Sequence, residues 1–434
     1  MILPRGTPNA GVSRWLVRVV VAAALAAPAF AQPADLRAAI RNAARGDVRD
    51  FYAARGFQPL WAADGAILPQ AAALVDNLAT ADADGLKPSS YKPHKLRDAI
   101  AAAAGGEPRA MAKAEVLLST SLARYVRDLR KPQRGRDEMT WLDPKLKPSK
   151  LGPEAVLRSA ALPQPFADYV ATMGWMSPHY VRLRGLVAQA QAEGADRDTL
   201  ERLQRNLDRA RVLPGPWTHH VVVDASSGRL WYYQAGRQLG TMKVVVGRAE
   251  TPTPMLAGML QYAILNPYWN VPVDLAQTLV APKVLAGRSL KAMGFEALSD
   301  WSTTPQRLPA SAIDWRAVAA GTQELRLRQL PGGGNSMGRV KFMFPNDLGI
   351  YLHDTPDRHL FKPADRHFSN GCIRLEDAAS LGKWLLGRSI RSAGKAPEQA
   401  VPLAVQVPVY LTYLTAMDGG GAVGFREDVY GLDR

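Results

Sequence analysis

The sequence predicts an α+β protein: a helical N-terminal module followed by a β-rich module. Three observations point there. The first half of the 434-residue chain is alanine-rich, with apolar residues recurring every three to four positions. Pro214-Gly215-Pro216 then interrupts the pattern. Beyond it, short runs rich in valine, tyrosine and tryptophan alternate with glycine-bearing turns.

Taken in order, Leu74 and Leu78 with the alanines between them, Val116 to Leu129, and Tyr180-Leu183-Leu186-Val187 carry helical spacing. Asp198 and Glu201 have the separation of a capping box, and Leu200, Leu203 and Leu207 follow along one face. Pro214-Gly215-Pro216 ends that helix and divides a helical module over 32–215 from a β module over 217–415, with 416–434 as a C-terminal tail. After the division, Val221-Val222-Val223, Leu230-Trp231-Tyr232-Tyr233 and Met242 to Val246, separated by the turns Ser226-Ser227-Gly228 and Ala235-Gly236-Arg237, read as a β-meander. Strand-like runs return at Leu325-Arg326-Leu327, Lys341 to Phe344, Ile350-Tyr351-Leu352 and Val405 to Leu414. Between Ala276 and Ala320 the pattern reverts to helix and loop, which predicts an insertion placed as a lid.

Residues 1–31 read as an export signal. Arg5, Arg14 and Arg18 precede an apolar stretch, Val19 to Ala27, and Ala29-Phe30-Ala31 is a small-x-small cleavage site. The stretch is shorter than the about 20 residues a membrane span needs, so no stable span is expected after cleavage. The formal charge is +15; without residues 1–31, which hold three arginines and no acids, it is +12. That excess suits an anionic setting such as a cell envelope. The basic residues are spread along the chain without a nucleic-acid-binding motif, so no nucleic-acid partner is expected. The densest run, Arg124 to Arg136, reads as a solvated face.

Cys372 is the sole cysteine and has no intramolecular disulfide partner. A buried cysteine used as a small apolar residue is common, but the flanks favour chemistry. Ser369-Asn370-Gly371-Cys372-Ile373-Arg374 is a polar turn 19 positions after His353, which follows the Ile350–Leu352 run. A thiol nucleophile served by a histidine base is the reading these residues support. Leu375 to Leu386 has helical character, so Cys372 is expected to open a helix whose dipole, with a nearby histidinium, stabilises a thiolate. The N–H groups of Gly371 and Cys372 are then candidate oxyanion donors. Arg374 either meets an anionic substrate or pairs with a neighbouring acid, and Tyr351 either lines the pocket or packs in the core. His359 and His367 read as solvated loop residues, His219-His220 as the start of a strand, and Tyr268-Trp269 as packing. Neither a His-Glu-x-x-His nor a paired-cysteine motif is present, so no metal is expected. The order, histidine before cysteine, is the reverse of papain-like peptidases.

His353, fifteen residues, then Ser369-Asn370-Gly371-Cys372-Ile373-Arg374 resembles the signature of the L,D-transpeptidases, cysteine enzymes that cross-link peptidoglycan. Asn335-Ser336-Met337-Gly338-Arg339, Phe344-Pro345-Asn346, Val246-Gly247-Arg248 and Asn266 to Pro272 are similar to the large, scaffold-bearing Gram-negative type. Phe51-Tyr52, Arg55-Gly56-Phe57, Pro59-Leu60-Trp61, Asp84-Gly85-Leu86 and Tyr91 resemble its scaffold domain. The resemblance implies a β-sandwich-like catalytic domain acting in the periplasm, without cofactor, on tetrapeptide stems as donor and acceptor. It implies that Cys372 attacks, that His353 is base and acid, and that the backbone carbonyl of Asp354 orients His353. It also implies that Tyr351 lines the donor pocket and that carbapenems acylate the thiol; Arg374, Ser369 and Asn370 are further candidate substrate-binding residues. The chain departs from the pattern in having Asn370 where many members have histidine, and in leaving no room between Arg184 and the 198–213 helix for a peptidoglycan-binding module. A water or protein acceptor, or a non-catalytic scaffold, are the alternatives.

Overall fold

The computed structural model describes residues 34–131, 139–148, 151–162, 165–390 and 395–434. The export signal at 1–31 and the 132–136 part of the basic run lie outside them. Among the described residues no helix is long and apolar enough to cross a membrane.

The helical module is built around Pro108–Leu129, against which Ala34–Ala43, Pro93–Ala102 and Pro153–Ala160 pack. Several helices begin with proline at the first position, where its missing N–H is no loss. The last helix, Arg197–Arg211, starts earlier than its capping-box spacing suggests. Asp196, not Asp198, caps it by accepting the Thr199 N–H at 2.8 Å, while Glu201 pairs outward with Arg197 at 2.7 Å. Leu203 and Leu207 on its inner face are fully buried. In the basic run Arg130 is not solvated, since its guanidinium donates to the Trp175 carbonyl at 2.8 Å.

Two buried carboxylates organise this module. Glu115 accepts from the Trp61 N–H at 3.0 Å and the Tyr52 hydroxyl at 2.7 Å. Asp84, with no exposed surface, accepts from the hydroxyls of Tyr125 and Tyr180 at 2.6 and 2.7 Å and from Arg184 Nε at 3.0 Å. Arg211 donates to the Asp84 carbonyl at 2.8 Å, which ties the last helix to the same hub.

In the β module the predicted meander forms from His220–Asp224, Arg229–Gln234 and Arg237–Gly247 in antiparallel register. Gln399–Thr412 runs parallel to the first of these and antiparallel to Leu256–Leu265. Val340–Met343 pairs with both Leu256–Leu265 and Leu352–His353. The sheet therefore closes on itself, and the sandwich-like expectation takes this closed form around Val223, Leu260, Phe342, Leu352, Ile373 and Leu411.

The 276–320 insertion is not only helix and loop. Phe295–Leu298 and Arg307–Leu308 join Arg326–Gln329 and Trp269–Val271 in a separate four-stranded sheet. Trp269, Val280, Trp315, Val318 and Leu327 give it a core of its own. The two modules also share apolar packing, because Val222, Tyr233, Tyr410 and Leu414 lie in the same cluster as the helices. The C-terminal residues fold back as a strand pair, Ala416–Asp418 with Val423–Phe425, and Asp433 pairs with Arg202 and Arg209 of the last helix, both at 2.7 Å.

Candidate active site

Leu352–His353 runs parallel to Ile373–Leu375, with Leu352 opposite Ile373 and His353 opposite Arg374. The Ile373 N–H donates to the Tyr351 carbonyl at 3.0 Å, which extends the pairing by a residue. Leu352 and Ile373 point into the core and are fully buried. Side chains alternate along a strand, so Tyr351, His353, Cys372 and Arg374 share the other face, on strands about 4.8 Å apart. Residues distant in sequence are brought together by sheet register.

The strand is offset from its expected position: His353 lies within it rather than after it. The imidazole is buried, and its Nδ1 meets the Asp354 carbonyl at 2.6 Å. A carbonyl only accepts, so Nδ1 carries the proton and Nε2 keeps its lone pair. Asp354 is itself fixed. Its N–H donates to Val340, and its carboxylate accepts from the Arg339 N–H at 2.9 Å and from Arg358 at 3.0 Å. Its carboxylate is thus engaged elsewhere, and its carbonyl holds the ring. Burial, and then the Arg374 guanidinium, push His353 down to about 3, so the ring is neutral at physiological pH.

Cys372 does not open a helix. Ile373–Leu375 is a strand, paired on its other edge with Val244 and Val245, and the helix begins only at Ala378. The expected dipole stabilisation of a thiolate is therefore absent. Burial instead pushes the half-buried thiol up, opposed by hydrogen bonds from the Tyr351 backbone and hydroxyl and by Arg374. The thiol donates to the Gly349 carbonyl at 3.4 Å, an arrangement that requires the proton to be on sulfur. The resting pair is thiol and neutral imidazole, not thiolate and histidinium.

The turn before Cys372 is held internally. Gly371 has φ +101°, a conformation open to glycine, and a Cβ there would lie 3.0 Å from Ile350 Cδ1. Its N–H, expected to meet an oxyanion, donates to Ser369 Oγ at 3.1 Å. The Ser369 hydroxyl in turn donates to the Cys372 carbonyl at 2.6 Å and is buried, so it shapes the turn rather than facing a substrate. Asn370 is exposed at the tip. Arg374 pairs with Asp357 at 3.4 Å. Tyr351 sets its ring edge-on to His353 at 5.8 Å and packs against the core of the insertion. Of the other histidines, His359 is exposed, whereas His367 lies in a strand with its ring against Tyr430. His220 opens its strand, buried and stacked on Tyr233, while Trp269 packs on Phe295 and Tyr268 lies under Arg328. Among the described residues no group of three potential metal ligands converges.

From the sequence, Arg339 and Arg358 were noted without a role, and Gly349, Thr253 and Tyr430 were not singled out. Of these last three, Thr253 left a trace, in Thr251-Pro252-Thr253-Pro254 just after the Val246-Gly247-Arg248 run.

A Haemophilus influenzae protein provisionally named an L,D-transpeptidase is 31% identical over 242 residues, which cover 54% of this chain and 48% of that protein. The chain thus spans about half the length of the curated relative it matches. Two solved structures, an Ldtfm–avibactam carbamoyl enzyme and an L,D-transpeptidase from Mycobacterium smegmatis, overlap at 15% and 13% identity. They cover 46% and 44% of this chain, and 50% and 58% of their own, with TM-scores of 0.21 and 0.22, values too low to bear on the reading. Residues 46–186 match the scaffold domain and residues 218–408 the YkuD L,D-transpeptidase catalytic domain. The chain therefore carries a scaffold domain followed by a catalytic domain of the YkuD L,D-transpeptidase family.

Proposed function

We propose that this protein is an exported, periplasmic L,D-transpeptidase that forms 3→3 cross-links in peptidoglycan through a thioester on Cys372. The observation that supports the reading is the shared face of two paired strands, which carries Cys372 across from Tyr351 and, on the same strand as Tyr351, a neutral His353 whose Nδ1 is fixed by the Asp354 carbonyl. His353 Nε2 takes the thiol proton as Sγ attacks the carbonyl on the L-centre of the third residue of a donor tetrapeptide. The bond to the terminal D-alanine breaks, and that amine leaves with the proton held by His353. The side-chain amine of a diamino acid on an acceptor stem then attacks the thioester. It loses a proton to His353, and the thiol is restored. Tyr351 and Arg374 flank this path, the first as a pocket wall against the insertion and the second as a cation toward the anionic stem.

Incubation with purified disaccharide-tetrapeptides, read by mass spectrometry, tests the proposal. The expected product is a dimer lacking one D-alanine and joined through the two third residues. Tripeptide without dimer would replace transpeptidation by hydrolysis, and unchanged substrate would contradict the reading outright.

A further inference from the structure

We infer that Thr253 is a positioning residue that aims the Cys372 N–H at the oxyanion formed during acyl transfer, and that Tyr430 holds Thr253 in place. This rests on the reading of Cys372 as an acyl-transfer nucleophile.

The three N–H groups around the nucleophile differ in their engagement. Gly371 donates to Ser369 Oγ, and Ile373 donates to the Tyr351 carbonyl. The direction of the one between them is set by the Gly371–Cys372 peptide, whose carbonyl accepts from Thr253 Oγ1 at 2.8 Å. In a planar trans peptide the N–H points opposite to the carbonyl, so this bond turns the Cys372 N–H away from the Thr253 loop. The Thr253 hydroxyl has one proton and no alternative use for it. Its oxygen accepts from the Gly247 N–H at 2.9 Å, so the proton goes to Gly371.

Thr253 is 4% exposed and sits between Pro252 and Pro254, whose rings stiffen the loop. At Gly247 a Cβ would stand 2.6 Å from the Thr253 nitrogen, so the close approach of the two chains needs a residue without one. Tyr430 closes the arrangement. Its hydroxyl donates to the Gly247 carbonyl at 2.6 Å and accepts from the Thr253 N–H at 3.3 Å. The ring is stacked on Tyr413 at 4.8 Å and lies edge-on to His367 at 5.4 Å. Tyr430 lies beyond the matched catalytic domain, in the segment that Asp433 anchors to Arg202 and Arg209 of the helical module. This C-terminal segment is thus linked, through Thr253, to the turn that bears the nucleophile.

In the step concerned, the bond from Sγ to the carbonyl carbon forms as the π pair moves onto oxygen. That oxyanion accepts the Cys372 N–H. On collapse the C–N bond breaks, and the nitrogen leaves with the proton that His353 took from sulfur.

The test uses the mature full-length protein with two reagents, the carbapenem meropenem and iodoacetamide. Acylation passes through an oxyanion, whereas alkylation displaces iodide at a saturated carbon and needs none. In Thr253→Val, acylation is expected to slow by about thirtyfold, below the 10²–10³ of a deleted oxyanion donor, with alkylation within about twofold of wild type. Thr253→Ser, which keeps the hydroxyl, restores acylation. Tyr430→Phe, which keeps the stack and removes only the hydroxyl, shows the same selective loss in smaller measure, and carries the test if Thr253→Val does not fold. Acylation at the wild-type rate in these variants, or acylation and alkylation falling together, would overturn the inference. A wild-type protein that is alkylated but never acylated would overturn the parent reading as well.

Discussion

Replacing His353 with glutamine is expected to slow acylation of Cys372 by about 10²–10⁴-fold, the range for loss of a positioned general base. The effect is large because the resting sulfur is a thiol. Its raised pKa and its bond to the Gly349 carbonyl leave little thiolate at neutral pH, so attack depends on a partner that removes the proton. The same burial gives the prediction a pH signature. His353 is held near 3, below the ordinary histidine value of about 6.5, so the base stays unprotonated on moderate acidification. The unfolded chain, however, binds a proton at this position below about pH 6.5. Stability contributed by the neutral ring is therefore present above that value and lost as pH falls from about 6.5 toward 3, with a limiting slope of about 1.4 kcal/mol per pH unit. Glutamine has no such proton. Denaturant titrations at pH 7 and pH 5 should show the variant losing less stability than wild type over that interval while acylating far more slowly. Equal acylation rates would remove His353 from the mechanism.

The second large effect lies far from the thiol. Asp84→Ala is expected to cost about 3–5 kcal/mol, the range for removing one partner of a buried ion pair. It leaves Arg184 without its carboxylate and strips two tyrosine hydroxyls of their acceptor. Against a typical total of about 5–15 kcal/mol, that is a substantial fraction. Asp84→Asn, which retains an acceptor oxygen, should cost less. Urea denaturation followed by near-ultraviolet circular dichroism measures both, and a loss below about 1 kcal/mol in the alanine variant would show that the hub is not a stability centre. Since the helices share an apolar cluster with Val222, Tyr233 and Tyr410, the damage is expected to reach the catalytic domain.

Much of this was legible in the sequence where periodicity was strong. The meander from His220 to Gly247 and the helices beneath Leu74, Leu122 and Leu203 follow from spacing alone. Errors fell where local pattern competes with pairing. Ile373-Arg374-Leu375 precedes a helical stretch and reads as part of it, yet strands on either side draw it into the sheet. That single difference reverses the expected state of the thiol, since a helix start would lower its pKa and a buried strand start raises it. Within the insertion, Phe295–Leu298 and Arg307–Leu308 are too short to announce themselves and become strands through their partners. In the site, Cys372 and His353 stood out by residue type and separation. Ser369 did not reveal that its hydroxyl would turn inward, and Tyr430 carried no local signal, because its contact with Gly247 and Thr253 arises only when the chain end folds back.

In the proposed function, Cys372 is a nucleophile in a site shaped for acyl donors. Intact-protein mass spectrometry after mixing with a carbapenem, beside Cys372→Ala, tests it most directly. A mass gain equal to one drug molecule on wild type, absent from the variant, is the predicted result. Folded, reduced wild-type protein that remains at its original mass would contradict it.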